Sequence, residues 1–217
     1  MNKSFVEGLK PNPILRDIDA MKRVVGWEMK PEDVFIFFKS LRKQVISLFG
    51  FSTAYQDSNA MLEIARKNLK EYSPETHLVN IGATEGGIGA VYPLAKSLGF
   101  TTTGIVSNLA VQYAEAISPH ADHICFVSDS AWGGKVAGSE SLTPTSQAMV
   151  ACTDIFIGIG GGEITRDELL AGEELGKPVK FFPAEMKHEI AIERAMKKGL
   201  PIPASYWGAA HEVMMKK

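Results

Sequence analysis

Three glycines, Gly160-Gly161-Gly162, run on into Glu163-Ile164-Thr165-Arg166-Asp167-Glu168. They follow the apolar segment Ile155-Phe156-Ile157-Gly158-Ile159 directly. That order predicts a buried strand, a tight turn, and a helix that begins inside the turn. The first amides of such a helix have no partner within it, and its dipole is positive at that end. A phosphate or another anion fits there. Gly160, Gly161, Gly162 and Thr165 are the candidate anion-binding residues. Glu168 is the candidate for chemistry, as a general base or as the holder of ribose hydroxyls. An acid in the first turns also stabilises its helix by about 0.3–1 kcal/mol, and that reading stays open. Arg166 is either a phosphate clamp or the salt-bridge partner of its neighbours. Glu163 and Asp167 read as solvated acids, which would weaken the grip on an anion.

A second turn, Gly82-Ala83-Thr84-Glu85-Gly86-Gly87-Ile88-Gly89, also joins a strand pattern to a helix pattern. Gly82, Gly86 and Gly87 are candidate ligand contacts, because glycine allows positive φ and close approach of a ligand to the backbone. Tight strand–helix packing asks for the same residue. The turn is no Walker A loop, since no Gly-Lys-Ser/Thr closes it. It is no dinucleotide fingerprint either, since Tyr92 stands where the third glycine belongs. Ser52 and Thr53, after an earlier strand, are candidate phosphate donors. Asn108 is a candidate contact to a base or sugar, or the N-cap of its own helix. Asp129 and Trp132 lie in a long Ser/Gly-rich stretch, 128–141, where Trp132 would stack on a base or plug the core. His120 and His123 have no third ligand at a suitable spacing, so no metal is expected, and no resident cofactor is expected either.

These motifs resemble the LOG-like group of the SLOG superfamily, often labelled "possible lysine decarboxylase" proteins. The group's signature is P-G-G-x-G-T-x-x-E. Gly161, Gly162, Thr165 and Glu168 match it, while Gly160 replaces the proline and Ile164 the third glycine. Gly82, Gly86 and Gly89 match a second motif, G-G-x-x-G-x-M-G, and Gly50-Phe51-Ser52 resembles the group's opening strand end. The likeness spans roughly residues 44–184. It implies a Rossmann-like nucleotide-binding protein, and in characterised members cleavage of the N-glycosidic bond of nucleoside 5′-monophosphates. In those hydrolases an Arg-Lys pair on the preceding helix works with the signature glutamate. That pair falls here at Thr145-Ser146, and the helix carries no basic residue. Arg166 or Lys135 is the expected substitute. SLOG relatives also include molybdenum-cofactor carriers and the DNA-binding DprA branch.

The elements that must position these residues alternate from residue 44 onward. Strands are predicted near 45–49, 78–81, 101–106, 124–127, 155–159 and 179–182, with helices at 57–71, after Gly89, 108–117, 143–152, 163–175 and 185–198. The pattern predicts an α/β, Rossmann-like, mainly parallel sheet with helices on both faces. Residues 1–43 read as an N-terminal helical arm. It holds one helix at about 13–25, carrying Ile14, Ile18, Met21 and Val25, and a second opening at Pro31-Glu32-Asp33. Residues 44–217 form the nucleotide-binding domain.

The chain of 217 residues is 45% hydrophobic and carries a formal charge of −2. A mildly acidic balance disfavours sequence-independent binding of nucleic acid. No apolar run reaches spanning length, so no membrane partner is expected. Cys125 and Cys152 read as buried thiols in a reducing, cytoplasmic protein. The apolar helical arm suggests a homodimer. Two functions follow: an N-glycosidase acting on a nucleoside monophosphate, or a non-catalytic binder or carrier of a nucleotide or phosphorylated cofactor.

Overall fold

The structure, a computed structural model, describes residues 22–197 and 199–216. Seven strands form one sheet: β1 (Val24–Met29), β2 (Gln44–Gly50), β3 (His77–Ile81), β4 (Thr101–Ser107), β5 (His123–Val127), β6 (Ile155–Ile159) and β7 (Val179–Phe182). Their order is β1-β5-β4-β3-β2-β6-β7, and every pair is parallel. Among the described residues seven α-helices accompany them: α1 (Pro31–Ser40), α2 (Ser58–Leu69), α3 (Val91–Ser97), α4 (Pro144–Cys152), α5 (Glu163–Glu174), α6 (His188–Lys197) and α7 (Ala209–Met214). The α/β, Rossmann-like architecture is the expected one.

Alternation along β2 explains the two layers. Ile46 and Leu48 join the core beneath α2 and α3, with Met61, Ala65, Val91 and Leu94. Val45 and Phe49 join the core beneath α1, α4 and α5, with Val34, Phe38, Met149 and Leu169. Polar residues inside the sheet are paired with one another. Ser47 Oγ lies 2.6 Å from Thr153 Oγ1, Asn80 Nδ2 donates to Ser47 Oγ at 3.1 Å, and Thr103 Oγ1 donates to Asn80 Oδ1 at 3.0 Å. This satisfied chain across three adjacent strands favours one register over its neighbours.

The amino-terminal region differs from expectation. Ile14, Ile18 and Met21 lie outside the described residues. Val25 belongs to strand β1, which pairs with β5 at the sheet edge, while the helix opening at Pro31 forms as read. An edge strand buries the apolar side of Val24–Met29 more completely than a solvent-facing helix end would, and Met29 is buried. The segment after β4 also differs. Asn108–Ala116 is a 3₁₀ stretch broken at Tyr113, whose φ of −125° and ψ of 46° are not helical.

The chain runs outward through β2, β3, β4 and β5, then returns to place β6 on the other side of β2. The order reverses between β2 and β6. In open parallel sheets the crevice beyond such a reversal, at the carboxyl ends of the strands, is where ligands bind.

Candidate functional site

The loops after β2 and β6 flank this crevice, and the glycine turn after β3 lies on the far side of β2. Phe51 joins the three. Its carbonyl accepts from Ile88 N–H at 2.8 Å and abuts Gly87, while its ring lies against Gly160, where a Cβ would come within 2.7 Å of it. The two glycine corners therefore meet on either side of one residue. Tyr55 braces the same point. Its hydroxyl accepts from Phe51 N–H at 3.1 Å and donates to Ile159 O at 2.7 Å. Burial holds that phenol well above the ordinary tyrosine range.

Much of the glycine content is used for packing. Gly87 has φ of 56°, Gly160 56° and Gly161 123°, all in the region that favours glycine. A Cβ on Gly161 would stand 2.5 Å from Thr165 Cγ2. Thr165 is buried and donates to Gly50 O at 3.2 Å, tying α5 to the end of β2. The carboxy-terminal segment closes the other side. Gly208 is seated on Gly161 O, and Ala210 N–H donates to that carbonyl at 3.2 Å. Gly162 is different: a Cβ there meets nothing within 4 Å, and no side chain caps the helix it starts. The open amides of the α5 first turn are thus at Gly162 and beyond. Gly82 has similar space, and Gly86 lies against the Ser52 carbonyl. The Ser52 side chain is exposed at this edge.

Glu168 is enclosed. Ser146 Oγ donates to Glu168 Oε1 at 2.6 Å, and Gly134 N–H donates to Ser146 Oγ at 2.7 Å. Gly133 and Gly134, with φ of 118° and 85°, lie over Ser146, Ile164 and Asp167. Burial raises the Glu168 carboxyl to about 8, the Asp167 charge pushes the same way, and the Ser146 hydrogen bond opposes both. The group is therefore mostly neutral at pH 7. Of Thr145-Ser146, where the resemblance set an Arg-Lys pair, Ser146 stands beside the glutamate and offers a hydroxyl where that pair would offer a cation.

Arg166 is paired with its neighbour Asp167. Its Nε and Nη2 bind Asp167 Oδ1 at 2.9 and 2.8 Å. Two helical residues differ by about 200° of rotation, so Arg166 and Glu168 leave α5 on opposite sides. Nor is Asp167 a solvated acid. It is buried, and Lys135 N–H donates to its Oδ2 at 3.3 Å. Lys135 itself pairs with Glu140. Glu163 is exposed as expected. A cleft of about 300 Å³ separates the 133–139 loop from the first turns of α5, with Lys135, Glu163, Ile164 and Arg166 on its walls.

Asn108 and Asp129 serve the scaffold of this edge. Asn108 Oδ1 accepts from Asp129 N–H at 3.3 Å. The Asp129 carboxylate accepts from Ala131 N–H and from Thr145 N–H, both at 2.9 Å, and so caps the start of α4. Trp132 is half exposed and leans on Tyr113, which rules out a core plug. Phe51, Tyr55, Ser146 and the Gly133–Gly134 cover are the site residues that sequence reasoning did not single out on their own chemistry. A glycine pair inside a long loop was the available sign for the last of these. Among the described residues no group of three or more His, Cys, Asp or Glu is placed to hold a metal ion. No described helix is long and apolar enough to cross a membrane.

No protein-family model matches the chain, and no curated protein matches it. Solved structures do. TM1055, a structural-genomics target, is similar at 20% identity and a TM-score of 0.45, over 63% of this chain and 72% of its own. A Moco carrier protein from Chlamydomonas reinhardtii is similar at 19% identity and a TM-score of 0.47, over 80% of this chain and 97% of its own. A second structure titled as the molybdenum cofactor carrier protein of that alga is similar at 20% identity and a TM-score of 0.44, over 80% and 98%. These likenesses concern the fold alone.

Proposed function

We propose that this chain binds a nucleotide or another phosphorylated small molecule at the strand-order reversal between β2 and β6. One observation carries the reading: a glycine turn at the reversal starts α5 with Gly162 facing open space and no side-chain cap on the first-turn amides. The anion rests on Gly162 and the amides that follow, with Ser52, Gly82 and Gly86 along the rim. Gly160, Gly161 and Thr165 hold the turn in shape. Asn108 holds the neighbouring loops. Thermal-shift measurements with AMP, other nucleoside monophosphates, ribose 5-phosphate and a pterin phosphate test the reading. Stabilisation that grows with the logarithm of probe concentration is expected. No shift with any probe at millimolar concentration overturns it.

The enclosed Glu168 favours binding without cleavage. A glycosidase would use this carboxylate ionised, next to a ribose that develops positive charge, with Arg166 as its substitute cation. Burial instead shifts the carboxyl toward its neutral form, Ser146 binds it, Gly133 lies over it, and Arg166 pairs with Asp167. Incubation with AMP and chromatography for adenine separates the two readings. Catalytic release of base restores the hydrolase. A pterin phosphate belongs among the probes because the group that the sequence resembles includes molybdenum-cofactor carriers. The buried free thiols Cys125 and Cys152 support a reducing, cytoplasmic setting. The exposed Phe35 and Ile36 of α1 support a homodimer, which size-exclusion with light scattering tests.

A further inference from the structure

Two exposed aromatic rings stand together in the loops that follow β4 and β5. Tyr113 and Trp132 are 51% and 49% exposed, although residues of this size normally seek cover. They come from different loops, after β4 and after β5, on the carboxyl edge of the sheet. Their centroids lie 5.9 Å apart with the planes 43° apart, so together they form an open wedge rather than a closed stack. Tyr113 sits at the break in its 3₁₀ stretch. Trp132 precedes Gly133 by one Cα step of about 3.8 Å. Gly133 in turn lies over Ser146 and Ile164, on the wall of the cleft against α5. Trp132 is thus the immediate chain neighbour of a residue that lines the cleft against α5.

We infer that Tyr113 and Trp132 form a stacking subsite for a flat heteroaromatic ring, a purine or a pterin, whose phosphate end occupies the α5 first turn. The inference rests on the proposed ligand class and adds which end of the ligand lies where. Aromatic stacking is tolerant of ring identity, since every such ring offers a π face. The subsite therefore selects for planarity and leaves discrimination between rings to polar groups elsewhere.

Calorimetric titration of AMP and of ribose 5-phosphate, which has the phosphate and sugar but no ring, tests this in the full chain. Wild type, Trp132→Ala, Tyr113→Ala and Trp132→Phe are compared, with melting temperatures recorded for each. The expected result is a loss of AMP affinity of roughly fivefold to a hundredfold in each alanine variant. Ribose 5-phosphate affinity stays unchanged, and Trp132→Phe retains most of the AMP affinity. Both residues are half exposed, so the variants should fold. Unchanged AMP affinity, or equal loss for both ligands, overturns the stacking subsite while leaving the phosphate site intact. Wild type that binds neither ligand overturns both proposals. A loss of dimer mass in Trp132→Ala, with AMP affinity kept, assigns the rings to subunit contact and also overturns the subsite.

Discussion

Ser146 Oγ stands 2.6 Å from Glu168 Oε1, and the two side chains, 22 residues apart in sequence, are both buried. The hydroxyl is also the acceptor for Gly134 N–H. One small side chain therefore links the helix before the signature strand, the acid after it, and the loop that covers both.

Removing that hydroxyl leaves a buried carboxyl and a buried amide without their partner. Ser146→Ala should cost about 1–3 kcal/mol of stability. Glu168→Gln should stay close to wild type at pH 7, because it exchanges one neutral group for another that still accepts from Ser146. Urea unfolding of both variants checks the pair of expectations. A large loss in Glu168→Gln would mean that the native carboxyl is ionised.

The raised Glu168 carboxyl also predicts a pH dependence. The unfolded group titrates near 4.5 and the folded one near about 8, so across this interval the native chain keeps a proton that the unfolded chain has lost. The stability from this group is complete below about 4.5, falls as pH rises, and is gone above about 8. Unfolding measured from pH 5 to pH 9 should slope downward in wild type, and the slope should be shallower in Glu168→Gln. Equal slopes would contradict the assignment.

Gly161 and Gly162 are adjacent but should respond differently to the same change. Gly161→Ala places a Cβ against Thr165 at a φ of 123°, and should destabilise the fold. Gly162→Ala meets open space at a φ of −90°, and should unfold like wild type. Its effect should instead appear in ligand titration, as weaker binding of AMP and ribose 5-phosphate alike. Wild-type affinity in Gly162→Ala would move the anion away from the first turn.

Tyr55→Phe removes the bridge between Phe51 N–H and Ile159 O. Both groups are buried, so the loss should again be about 1–3 kcal/mol. Since this hydroxyl joins the ends of β2 and β6, the variant should also weaken ribose 5-phosphate binding through misplacement of the loops. Calorimetry reads the second effect separately from the first.

The strands and their parallel pairing were legible because a buried strand is a short apolar run, and crossover helices carry a period of their own. The glycine signature was legible because a turn needing positive φ restricts residue choice. Roles of side chains were less so. Arg166 read as a phosphate clamp or as the salt-bridge partner of its acidic neighbours, and the fold pairs it with Asp167. Asn108, which read as a ligand contact or a cap, accepts from the Asp129 N–H, and the Asp129 carboxylate accepts from the backbone of Ala131 and Thr145. Val25 read as the last apolar position of a helix at about 13–25, and pairing with β5 places it in a strand instead.

From the order of residues alone came the α/β class and the two glycine corners. Those features depend on local backbone freedom and on hydrophobic period, which are properties of short segments. Whether Glu168 is charged, which of its neighbours it touches, and that Tyr113 meets Trp132 depend on desolvation and on contacts between distant loops. Such quantities exist only once the strands are in order and the loops are brought to one edge.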